Sequence, residues 1–139
     1  MELGILINYT IELSISAVIG LIIGIERAIQ HKAASIRTFS FICTGCCLFA
    51  ILSDLAANGV NRDPTRIAAN ILTGVGFIGG GVIFKSKNKI EGITTAAIIW
   101  VTSGLGMACG FGYTELALVV FVLYVILYVI SKFFHDLLD

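Results

Sequence analysis

Charge is scarce in this sequence. Nine basic and nine acidic residues leave 139 residues only 13% charged and with no net charge, which excludes a soluble domain solvated on every side. The balance argues neither for nor against nucleic acid, and no nucleic-acid partner is expected. Polar helix faces are missing too, although a soluble helical bundle would show them at helical period. No linker or low-complexity tract interrupts the chain, so one domain covers residues 1–139. The amino end has no basic segment and no small-residue cleavage site, so the first apolar run reads as a retained helix rather than a leader. Histidine is limited to His31 and His135, neither placed to help Cys43, Cys46, Cys47 or Cys109 hold a metal within a membrane. These cysteines read as small packing residues in a reducing compartment. No cofactor is expected, and a metal site stays unassigned.

What the sequence does have is five long apolar runs: 5–25, 36–55, 67–84, 93–112 and 116–133. At about 1.5 Å per residue, a run of roughly twenty spans the ~30 Å hydrocarbon core of a bilayer. A composition 58% hydrophobic with a mean hydropathy of +0.99 agrees. The expected fold is all-α, a polytopic membrane protein of five transmembrane helices with lipid as its main solvent. Arg27, Lys32, Arg37, Lys85, Lys87, Lys89 and Lys132 fall on one side of such a topology, and Arg62 and Arg66 on the other. Seven against two places the first and third loops in the cytoplasm, with the N-terminus out and the C-terminus in.

Small residues then suggest how the helices meet. Pairs at Gly20 and Gly24, Gly76 and Gly80, and Gly106 and Gly110 let backbones approach, which matters where lipid supplies no hydrophobic drive for association. Trp100 is expected to fill space beside the glycines of the third helix, Gly79 among them. The fifth run is apolar on every face and belongs at the lipid-facing periphery. A homo-oligomer, as a dimer, would bury more of the small-residue faces. Gly74, Gly76 and Gly79 also spell G-x-G-x-x-G, but a dinucleotide turn needs a strand before it, and these glycines lie inside a membrane-length run. Close packing, or a break in the third helix, is the reading kept.

Ionisable residues gather at the two ends. Glu26 and Arg27 close the first helix and Arg37 opens the second, so three charges meet at the cytoplasmic boundary, near Thr94 and Thr95 at the start of the fourth. Either they snorkel to headgroups or they form a paired polar site, with Arg37 bidentate on Glu26. On the outer side Asp63 caps the third helix and Pro64 takes its first position. Arg66 and Asn70 lie one turn apart there, with Glu12 and Asp54 as partners for Arg66, or with Glu12 held neutral.

Five groups of residues together resemble the MgtC/SapB membrane family. They are Gly20, Leu21, Gly24, Glu26 and Arg27; Arg37 and Thr38; Asp63, Pro64, Arg66, Ile67, Ala68 and Ala69; Gly74, Gly76, Phe77, Gly79 and Gly81; and Thr94, Thr95, Ala96, Ala97 and Trp100. The likeness runs in order from residue 20 to about residue 110. Ala28, Ser35 and Asn70 depart from the usual pattern, and the soluble C-terminal domain of the longer members is missing after the fifth run. The resemblance implies a bacterial inner-membrane protein connected with growth in low magnesium and, in some pathogens, with survival inside host cells. The expected function is non-enzymatic regulation or homeostasis through partner proteins of the inner membrane. The alternative is a small transporter or channel with a path between the first, third and fourth helices, for which magnesium is the candidate ion. An enzyme is not expected, because no nucleophile and base pair or metal-ligand cluster appears.

Overall fold

In lipid a backbone must satisfy its own hydrogen bonds, and a helix does so within one segment. The computed structural model describes residues 3–57, 63, 65–86 and 89–138, with helices α1 (Leu3–Ile29), α2 (Ile36–Ala56), α3 (Thr65–Gly81), α4 (Ile93–Gly110) and α5 (Thr114–Leu138). The roles expected of Arg62, Pro64 and Lys87, and the side chain of His135, lie outside the described residues. Helices α1, α2, α4 and α5 are long and apolar enough to cross a membrane. Helix α3 has 17 residues, a rise of about 26 Å. Large apolar side chains such as Ile7, Val18, Phe41, Phe49 and Val122 cover the outside, as a lipid-facing surface requires.

The helix ends have local causes. Asp63 Oδ1 accepts hydrogen bonds from the Thr65 N–H at 2.8 Å and the Thr65 hydroxyl at 2.6 Å, which starts α3. Helix α4 ends in a Schellman turn: Gly112, at φ 78°, donates to the Cys109 carbonyl at 3.0 Å, and Tyr113 donates to Ala108 at 2.8 Å. The fourth helix therefore stops at Gly110 rather than at residue 112. Helix α1 ends the same way, with His31 at φ 55° donating to Ala28 and Lys32 donating to Arg27, both at 3.0 Å. A histidine thus holds a left-handed position that glycine usually fills.

The third apolar run is also shorter as a helix than expected. Phe84 begins a strand, β1 (Phe84–Ser86), that pairs antiparallel with β2 (Lys89–Glu91), Phe84 facing Glu91 and Ser86 facing Lys89. Sequence reasoning missed this hairpin because its three-residue strands are exposed at every position and show no alternation.

Helices α2 and α4 form the centre of the bundle, with α1 and α3 packed against both, while α5 lies against α4 and touches α1. A Cβ at Gly20 would stand 2.5 Å from the Phe39 carbonyl oxygen, and one at Gly24 would stand 2.5 Å from the Ile36 Cα. On the other side a Cβ at Gly106 or Gly110 would overlap the carbonyl oxygens of Cys43 and Cys47. These four glycines seat α1 and α4 on α2. Cys43, Cys46, Cys47 and Cys109 are free and buried in that seam.

Two packing expectations are corrected. A Cβ at Gly76 or Gly80 would meet nothing within 4 Å, whereas Gly79 faces Ala96 at an ordinary 3.7 Å. The buried face of α3 is set by Val75 and Gly79, and one residue further on lies about 100° around the helix. Trp100 is 57% exposed while Ile99 is fully buried, so the indole points away from the bundle. Helix α3 runs unbroken through Gly74, Gly76 and Gly79, with neither a break nor a strand before the glycines.

Candidate functional site

The end of the bundle that holds the first loop and the hairpin carries a polar network joining three helices. Arg27 closes α1 on its inner face and is only 3% exposed. Burying a guanidinium is costly unless it is paired, and its partners are Glu26 Oε1 at 3.7 Å, Gln30 Oε1 at 3.5 Å and the Thr95 hydroxyl at 3.4 Å. Helix α5 supplies the rest. The Tyr124 hydroxyl donates to Glu26 Oε2 at 2.9 Å, and Gln30 Nε2 donates to the Tyr128 hydroxyl at 3.1 Å. Arg27 is thereby tied to α4 directly and to α5 through its neighbours.

The structure thus brings Glu26, Arg27 and Thr95 together, with Thr94 and Arg27 both lining two cavities of about 570 and 480 Å³. Arg37 is not among them. It is exposed at the start of α2 and makes no ion pair among the described residues, while Glu26 serves Tyr124 and Arg27 instead. Sequence reasoning missed Gln30, Tyr124 and Tyr128. The available signal was two tyrosines one helical turn apart in an otherwise apolar helix, whose hydroxyls need partners when buried.

The opposite end splits in two. Asp63, Arg66 and Asn70 line a cavity of about 430 Å³ with Ser53 and Ala56, and the Asn70 amide donates to the Arg66 carbonyl at 3.1 Å. Two hydrogen bonds from Thr65 hold the Asp63 carboxyl below the usual carboxylate range. Glu12 and Asp54 do not line that cavity, and Arg66 pairs with neither. Glu12 instead faces the turn after α4, its Oε1 3.9 Å from where a Cβ on Gly112 would be, and its Oε2 is buried without a hydrogen bond among the described residues. Helices α1 and α3 each pack against α2 and α4 rather than against one another, which separates Glu12 from Arg66.

Chemically, both ends offer charge pairing and hydrogen bonding. Among the described residues no group of three or more His, Cys, Asp and Glu side chains is placed to hold a metal ion.

Residues 13–137 match the MgtC family. A relative from Escherichia coli K12, a putative magnesium transporter called YhiD, is 43% identical over 117 residues, covering 80% of this chain and 54% of the relative. Protein SapB of Bacillus subtilis is 41% identical over 110 residues, 74% of this chain and 47% of its own. Protein MgtC of Brucella abortus is 38% identical over 94 residues, 68% and 39% respectively. The chain spans about half the length of the curated relatives it matches. No solved structure matches it.

Proposed function

We propose, because this chain belongs to the MgtC family, that it serves the adaptation of a bacterial cell to low magnesium as a non-enzymatic regulator acting through partner proteins of the inner membrane. The family and the fold make it a multi-pass membrane protein linked to magnesium. The regulatory role is supported by the packing between the two polar ends. Ile19, Ile23, Phe39, Cys43, Ile99 and Leu105 are buried there. The hydroxyls of Ser16, Thr102 and Ser103 donate to carbonyls of their own helices at 2.7 to 2.9 Å. An ion crossing this interior would need oxygen ligands or water in place of those side chains.

A second reading, a small transporter, is favoured by the name of the Escherichia coli relative. Magnesium flux into proteoliposomes separates the two. Flux no faster than in protein-free vesicles is expected, and faster flux that is lost in Glu26→Gln would replace the regulator with a conduit. The orientation proposed is N-terminus out and C-terminus in, so a cysteine introduced at Asn88 should resist an impermeant thiol reagent in intact cells while one at Asn61 is labelled. We also propose a homodimer, which a monomer mass in nanodiscs across a range of protein concentrations would refute.

A further inference from the structure

The 480 Å³ cavity opens between the first loop, β2 and the first turn of α4, and its polar lining comes from Arg27, Gln30, Lys32, Thr94 and Thr95. Two formal positive charges line it and, among the described residues, no carboxylate does, the nearest to Arg27 being Glu26 Oε1 at 3.7 Å. Glu26 lies next to Arg27 but is held on the α5 side by Tyr124. The 18-residue α4 begins at this wall with Gly92, which has no side chain to cap it, and no cap hydrogen bond forms. The first bond of the helix runs from the Ala96 N–H to the Gly92 carbonyl at 2.8 Å. The N–H groups of Ile93, Thr94 and Thr95 precede it and find no acceptor among the described residues. Such an N-terminus carries about half a unit of positive charge and favours anions.

Arg27 gives an independent indication. It is almost fully buried, yet its Nε donates to nothing among the described residues. Its Nη contacts, at 3.4 and 3.5 Å, sit at the outer limit of hydrogen bonding. A buried donor left open costs about 1–3 kcal/mol, more for a charged group. An oxyanion placed in this cavity would accept from the Arg27 Nη groups, Lys32 and the α4 amides together.

We propose that this cavity binds a phosphate group, either inorganic phosphate or the phosphate of a lipid headgroup. Several oxygens in one ligand suit donors that converge from α1, the first loop and α4, and the same positive wall repels a free divalent cation. The site does not depend on whether the chain regulates or transports.

The test uses the whole chain, delipidated in dodecyl maltoside. One arm titrates inorganic phosphate against chloride at equal ionic strength by calorimetry. The other adds short-chain phosphatidylglycerol or uncharged diacylglycerol and reads retention by native mass spectrometry. Saturable phosphate binding that phosphatidylglycerol does not displace identifies the free anion. Retention of phosphatidylglycerol over diacylglycerol, with displacement of phosphate, identifies the headgroup. Lys32→Gln, at an exposed loop position, is expected to weaken either ligand about tenfold, the size of one charge-assisted hydrogen bond, while Lys85→Gln on the hairpin leaves binding unchanged. Preference for neither phosphate over chloride nor phosphatidylglycerol over diacylglycerol overturns the proposal. Equal binding by Lys32→Gln and the wild type does so too.

Discussion

Gly106→Ala is the sharpest probe of how this bundle is held together. The added Cβ would overlap the Cys43 carbonyl oxygen and stand 3.1 Å from the Cys46 Cβ. A helix carbonyl cannot rotate aside, so α4 must move away from α2. Overpacking costs about 1–3 kcal/mol, and an obstacle made of backbone argues for the upper end. Alanine returns about 1 kcal/mol of helix propensity over glycine, leaving a net loss of about 2 kcal/mol. Gly76→Ala makes the same chemical change with nothing within 4 Å of the new atom, and is expected to gain about 0.5–1 kcal/mol. The two variants should therefore differ by about 3 kcal/mol in opposite directions from wild type, by the same propensity and overpacking terms. The four cysteines are free and buried, so a thiol-reactive fluorophore reports unfolding in detergent directly. Gly106→Ala should melt below wild type and Gly76→Ala at or above it. A Gly106→Ala protein as stable as wild type, or an equal loss in Gly76→Ala, would refute the assignment of α2 as the surface on which α4 is seated.

Other consequences concern the ends of the bundle. Tyr124→Phe removes the 2.9 Å hydrogen bond to Glu26 and should reduce complementation of growth in low magnesium at normal membrane abundance, whereas Arg37→Lys, at an exposed position with no ion pair among the described residues, should complement fully; the reverse pattern would return Arg37 to the site. The Asp63 cap is an acid-sensitive element. Its folded pKa is depressed below the ordinary value of about 3.9, so its contribution is complete above that value and is lost as pH falls through the folded pKa. Melting measured from neutral pH downward should show an acid-side loss that Asp63→Asn, a cap without a titrating group, lacks. His31→Gly should raise the melting temperature, since a left-handed backbone costs a non-glycine residue about 1–2 kcal/mol; the value of φ 55° is refuted as a source of strain if the variant melts lower.

Apolar runs of membrane length, separated by charged loops, were enough to read a helical membrane protein with five helices, because lipid leaves a spanning chain few ways to satisfy its backbone. Family membership was legible as well, from an ordered set of small and charged residues. The first and third loops do share one end of the bundle, as alternation of the runs requires. Which glycines matter was not legible, since small-residue pairs at the same spacing occur on α1, α3 and α4, and only the helix phase shows that Gly20, Gly24, Gly106 and Gly110 meet α2 while Gly76 and Gly80 meet nothing. Charge partners depended likewise on which helices are neighbours. Arg27 turns inward to Thr95 and Arg37 outward, although both stand at the same boundary, and Tyr124 and Tyr128 join the site because α5 packs against α4 and reaches α1. Hydropathy is a property of each segment alone and survives reading one residue at a time, whereas a half-buried hydrogen bond between residues 98 positions apart exists only once tertiary packing has chosen the faces that touch.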